Sequence, residues 1–156
     1  MYNEAFYLKQ YETQDEPARL VMDILSIYVS PLDRSTLYNT VIAFRDLTPK
    51  MISEIMQHLA GAGLVSVNVV GNYVLAPELV FILFPLNVKR EEYLPVLDQS
   101  RSRRGSIYSN SNRLLEIQHL LTTFFTGNRD LLLQPIQKME LELEEYEPFL
   151  FYLLYY

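Results

Sequence analysis

The chain of 156 residues has no cysteine, and that single absence excludes disulfides, thiolate metal sites and cysteine nucleophiles. Tryptophan is also absent, although tyrosine (12) and phenylalanine (8) are plentiful and gather mostly towards the two ends. No apolar run is long enough to cross a bilayer. The longest, "LVFILFPL" and "FLFYLLYY", fall far short of the ~20 residues a spanning helix needs. The opening "MYNEAFYLKQYE" lacks the basic stretch followed by an apolar core that marks a secretory signal. These features fit a soluble cytoplasmic protein with no membrane contact.

Positive charge is scarce. Nineteen acidic residues against 13 Lys and Arg leave a net charge of −6, whereas nucleic-acid binders are usually basic because phosphate contacts supply most of their affinity. An acidic total leaves room for a local basic face, and "QSRSRRGSIYSNSN" offers one in Arg101, Arg103 and Arg104. Material for catalysis is thin. His58 and His119 fall on separate helical patterns, no serine sits in a nucleophile elbow, and no glycine-rich phosphate loop opens a helix. The expectation is a protein with no enzymatic activity, no cofactor and no metal. The glutamates of "MELELEEYE" spread around a helix surface without a histidine or aspartate to complete a metal set.

What is present is helical periodicity. Residues 1–16 read as an N-terminal arm packing Tyr2, Phe6 and Tyr7 on the body, with a short helix as the alternative. After Pro17, "ARLVMDILSIYV" sets Leu20, Val21, Ile24, Leu25 and Tyr28 on one broad face, stopping at Ser30-Pro31. Asp33 is placed to cap a second helix carrying Leu37, Val41 and Phe44. Thr48-Pro49 is the strongest start signal in the chain, a capping hydroxyl followed by proline at the first helical position. Ile52, Ile55, Met56 and Leu59 then recur at helical spacing, and Gly61 and Gly63 offer left-handed positions to end the helix. Val65, Val67 and Val69 alternate with Ser66 and Asn68 as in a half-buried strand, and Gly71-Asn72 suits a two-residue hairpin turn.

The stretch "LTPKMISEIMQHLAGAGLVSVNVVGNYVLAPEL" resembles the recognition-helix and wing half of the winged helix-turn-helix superfamily. The resemblance covers residues 17–84 and is informative about fold far more than function, because winged helices read DNA and dock proteins alike. It implies a mainly α protein with a small β-hairpin: a winged helix-turn-helix followed by a C-terminal helical region. Beyond residue 84, "ELVFILF" reads as a helix ended by Pro85, residues 85–112 as a polar connection carrying the basic cluster, and 113–156 as the C-terminal helices.

Two functions follow from different residues. As a nucleic-acid-associated accessory or regulatory domain, for instance of a helicase-type ATPase, the chain would use Lys50, Ser53 and Gln57 on the recognition helix. Arg101, Arg103 and Arg104 would add phosphate contacts. As a protein-interaction or oligomerisation module, it would use Phe149, Phe151, Tyr152 and Tyr155 in the apolar C-terminal octet. That octet needs a cover, which the rest of a longer chain, a closed core or a homodimer would provide. No Lys or Arg lies between Leu59 and Pro77, so a wing that grips phosphate is disfavoured.

Overall fold

The structure is a computed structural model in which residues 4–28 and 31–102 are described. Six helices and one hairpin follow in the order α1 (Glu4–Glu12), α2 (Glu16–Tyr28), α3 (Arg34–Ile42), α4 (Pro49–Gly61), β1 (Val65–Val67), β2 (Tyr73–Leu75), α5 (Pro77–Asn87) and α6 (Leu94–Ser102). A 3-10 turn, Glu91–Tyr93, leads into α6. The protein is mainly α with a small antiparallel hairpin. The helical patterns beyond residue 112 lie outside the described residues.

Helix α2 is the centre. Every residue from Val21 to Tyr28 is buried, so the broad face read from the sequence is in fact the whole circumference. A helix segment buried on every side belongs inside, and α2 is packed by α3, α4, α5, α6 and β2. Full burial of side chains such as Val21, Met22, Ile24 and Ile27 stabilises the fold by roughly 1.5–3 kcal/mol each.

The start signals act as the local chemistry requires. Asp33 Oδ1 accepts from the Thr36 N–H at 2.9 Å, and Thr48 Oγ1 accepts from the Met51 N–H at 3.3 Å. Pro49 occupies the first position of α4, where its missing N–H costs nothing. At the other end, Gly63 alone takes the left-handed conformation, with φ +72°, while Gly61 stays helical. The Leu64 N–H bonds to the Leu59 carbonyl and the Gly63 N–H to the Ala60 carbonyl, both at 3.0 Å. This pair of bonds is the Schellman ending, with Leu59 and Leu64 packed in the core beneath it.

The hairpin departs from its expected form. Val65 pairs with Leu75, Ser66 with Val74 and Val67 with Tyr73. The Asn68 N–H then bonds to the Asn72 carbonyl and the Gly71 N–H to the Asn68 carbonyl, so the connection is Val69-Val70-Gly71 rather than a two-residue turn. Gly71 takes φ +85°, the left-handed position of a three-residue hairpin loop. Burial fades along β1 from Val65 (4% exposed) to Val67 (54%), because the hairpin projects beyond the helices that cover its base. Leu32, between α2 and α3, exchanges two 2.9 Å hydrogen bonds with Tyr73 and adds a bridge on the free side of β2.

Two further expectations are corrected. Residues 4–12 form a helix, α1, which sets Tyr7, Leu8 and Tyr11 against the core while Phe6 faces out. Residues 85–102 are largely helical in place of a polar connection. Proline in a helix interior costs about 3 kcal/mol, yet α5 continues through Pro85 to Asn87. Leu79, Leu83, Phe84 and Val88 are all buried along this segment, and their burial outweighs that cost. Tyr93, Val96, Leu97 and Ser100 form the buried stripe of the following turn and α6. Only residues 103–112 of the expected connection lie outside the described residues.

Candidate functional site

The outer surface of α4 carries the residues expected to touch nucleic acid, and most are already engaged. Lys50 is exposed with Nζ 3.8 Å from Glu54 Oε1, one helical turn on. Ser53 Oγ accepts a 2.7 Å hydrogen bond from the Arg34 guanidinium of α3. Gln57 is exposed. His58 Nε2 lies 3.0 Å from Gln14 Oε1, so the turn between α1 and α2 leans on one flank of α4. Arg101 falls in the last turn of α6, away from α4 in sequence and on a different element. Arg103, Arg104, Phe149, Phe151, Tyr152 and Tyr155 lie outside the described residues.

Beside α4 runs an apolar groove of about 320 Å³, walled by Leu37 and Tyr38 of α3, Pro49, Ile52 and Met56 of α4, and Tyr73 of β2. The hairpin borders it. Directly opposed residues of an antiparallel pair share a sheet face, so Val67 stands on the same face as Tyr73. At the tip, Asn68 Oδ1 accepts from the N–H groups of Val70 (3.1 Å) and Asn72 (2.9 Å), which orders the loop while Val69 and Val70 remain exposed to solvent.

A third arrangement was not read from the sequence. Asp23 stands in the middle of α2, its side chain only 5% exposed, and draws donors from three other parts of the chain. Oδ1 accepts from the Tyr11 hydroxyl of α1 at 3.0 Å and from Asn87 Nδ2 of α5 at 2.8 Å. Oδ2 accepts from the Tyr93 hydroxyl at 2.9 Å and lies 3.6 Å from the Arg90 guanidinium. Asn87 Nδ2 also reaches Ser26 Oγ at 3.2 Å, and Arg90 pairs with Glu92 and stacks 4.8 Å from the Tyr93 ring centre. Burial pushes the Asp23 carboxyl above its ordinary range, against the opposing pull of Asn87, Tyr93, Tyr11 and Arg90. Burial and the adjacent carboxylate hold the Tyr11 and Tyr93 hydroxyls firmly protonated, as donors.

With four partners on two oxygens, this carboxylate is saturated. Its chemistry is that of a clasp between α1, α2 and the end of α5. One signal could have found it: a lone aspartate inside "LVMDILSIY", a stretch otherwise apolar enough to be buried on every side.

No known protein family, curated protein or solved structure matches this chain. The functional reading therefore rests on the surfaces themselves.

Proposed function

We propose that residues 17–84 form a winged-helix-like domain that works as a protein-docking module, with the hairpin tip as part of its contact surface. The winged-helix reading is supported by the element order: α2, the Leu32 bridge, α3, α4 and then the β1–β2 hairpin. The docking reading is carried by the tip. Val69 and Val70 project on an ordered loop, 104% and 74% exposed, in a stretch without a single Lys or Arg. A contiguous group of exposed apolar side chains, here Val67, Val69 and Val70, favours a contact surface, whereas a wing that tracks a phosphate backbone needs cations.

The second reading is duplex binding through α4, favoured by Lys50, Ser53 and Gln57 lying at i, i+3 and i+7 on one face. The pairing of Lys50 with Glu54 and of Ser53 with Arg34 weakens it.

Two measurements separate the readings. Fluorescence anisotropy of the full chain with a labelled DNA duplex at low salt is expected to show nothing tighter than generic non-specific binding, ~10⁻⁴–10⁻⁶ M. Tight, salt-steep binding that falls on Lys50→Ala or on Arg101/Arg103/Arg104→Ala would turn the assignment to nucleic acid. In a selection from displayed protein fragments, the wild-type chain should enrich binders that the Val69→Lys/Val70→Lys variant no longer retains. Enrichment of no binder sensitive to the tip would overturn the tip's part in docking.

A further inference from the structure

The groove between α3, α4 and the hairpin has a charge pattern that narrows what it can hold. Of the nine residues lining it, eight are uncharged and the ninth is Arg34. The chain as a whole is acidic, with a net charge of −6, yet among the described residues no carboxylate lines this groove. Among the described residues, Arg34, like Arg19 and Lys89, has no carboxylate within ion-pair distance, and of these three it alone lines the groove. Arg45 meets Glu16, Lys50 meets Glu54 and Arg90 meets Asp23 and Glu92, whereas the Arg34 guanidinium is steadied by the neutral Ser53 hydroxyl. A hydroxyl bond fixes the direction of the side chain and leaves its full positive charge and its remaining donors available.

The walls set the second requirement. Half-buried Tyr38 and Tyr73 present the apolar surface, backed by the buried Leu37, Ile52 and Met56, and half-exposed Val67 extends the sheet face that bears Tyr73. At about 320 Å³ the groove sits at the lower end of the ~300–1,000 Å³ usual for ligand pockets. That space takes a side-chain anchor, well short of a folded element.

We infer that this groove docks a segment of a partner protein that carries a bulky apolar side chain for the groove and an Asp or Glu beside it for Arg34. The inference rests on the docking role proposed above and names its partner's chemistry. A planar guanidinium matches a carboxylate in a two-bond fork, which orients the segment, while the apolar anchor provides the desolvated contact. A basic segment is repelled by Arg34, and a purely apolar one leaves the guanidinium without a counter-charge at the mouth.

The test uses the full chain and three short fluorescent peptides of designed sequence: one with Leu and Phe anchors flanked by Glu, one with Lys in place of Glu, and one with Ala in place of the anchors. Anisotropy should show saturable binding of the first peptide alone. Arg34→Glu, at an exposed position, should weaken that peptide about tenfold or more and gain affinity for the Lys peptide, with an unchanged thermal midpoint. Arg34→Gln should weaken the first peptide without the gain. The Val69→Lys/Val70→Lys variant should bind it as wild type does. Failure of the acidic peptide to bind, equal binding of the Lys peptide, or indifference to Arg34→Glu would each overturn the inference. A display selection that enriches no tip-sensitive binder, alongside normal binding of the acidic peptide, would instead strike the tip and leave the groove standing.

Discussion

Replacing Asp23 with alanine tests the clasp directly, and its cost can be worked from the partners. Tyr93 is 4% exposed and donates its hydroxyl to Asp23 alone among the hydrogen bonds it makes through that group, so its loss carries the full penalty of an unsatisfied buried donor, ~1–3 kcal/mol. Asn87 is 2% exposed but keeps Ser26 Oγ at 3.2 Å, which halves its loss. Tyr11 is half-buried and turns to water. Against these stands relief from holding a carboxylate in a buried site. The balance is about 3 kcal/mol at neutral pH. For a chain of 156 residues that lowers the thermal midpoint by roughly 6–12 °C. Asp23→Asn keeps the size and one acceptor oxygen and should cost about 1 kcal/mol. Urea unfolding followed by circular dichroism measures both. A double-mutant cycle with Tyr93→Phe should return a coupling of about 1 kcal/mol or more. If Asp23→Ala costs less than about 1 kcal/mol, or no more than Asp23→Asn, the aspartate does not organise these elements and the reasoning fails.

The pH profile carries the same group's signature. The Asp23 carboxyl is raised above 3.8, so the folded chain holds a proton at pH values where the unfolded chain has released it. Its contribution to stability therefore falls as pH rises from that value through the folded-state pKa. The stability of wild type minus that of Asp23→Asn should decline across this window in urea titrations at successive pH values; a difference that rises would contradict the burial argument. At the end of α4, Gly63→Ala should cost about 1 kcal/mol, because φ is +72° and the added Cβ meets nothing within 4 Å, leaving backbone strain as the sole cause. Gly61→Ala, in right-handed helix with the same open space, should stabilise by about 0.5–1 kcal/mol, and equal signs for the pair in thermal melts would contradict the assigned ending.

Much of the fold was legible because its punctuation is local. Asp33, Thr48-Pro49 and Gly63 act through hydrogen bonds to residues within a few positions, so their meaning survives without knowledge of the tertiary structure. The errors fall where distant packing decides. Pro85 looks like a stop, and α5 passes through it because buried neighbours on both sides of the proline hold the last turn. The polar text around "EEYLPVLDQS" hid a helix whose buried stripe, Tyr93, Val96, Leu97 and Ser100, is short and interleaved with exposed polar residues and with Leu94 and Pro95. Val67 and Val69 alternate as a buried strand should, but alternation reports which face a side chain takes. How far the helices reach to cover that face is a tertiary fact.

The functional surfaces were harder to read for a related reason. A charge count can show that the hairpin lacks cations, yet only the structure shows which cations are already answered by carboxylates. Lys50 and Arg34 are both exposed basic side chains in the sequence around α4; Glu54 lies one turn from the first, and only a serine steadies the second. That difference shifts attention from the outer face of α4 to the groove at its side. It also explains why the apolar residues of α3 and α4, counted as core from their periodicity, serve two purposes at once. Ile52 and Met56 are buried in the core and still back the groove wall, so a change there would disturb folding and docking together. Arg34 is the position where the two can be separated, since its side chain lies outside the core and its charge, rather than its volume, is what the groove offers a partner.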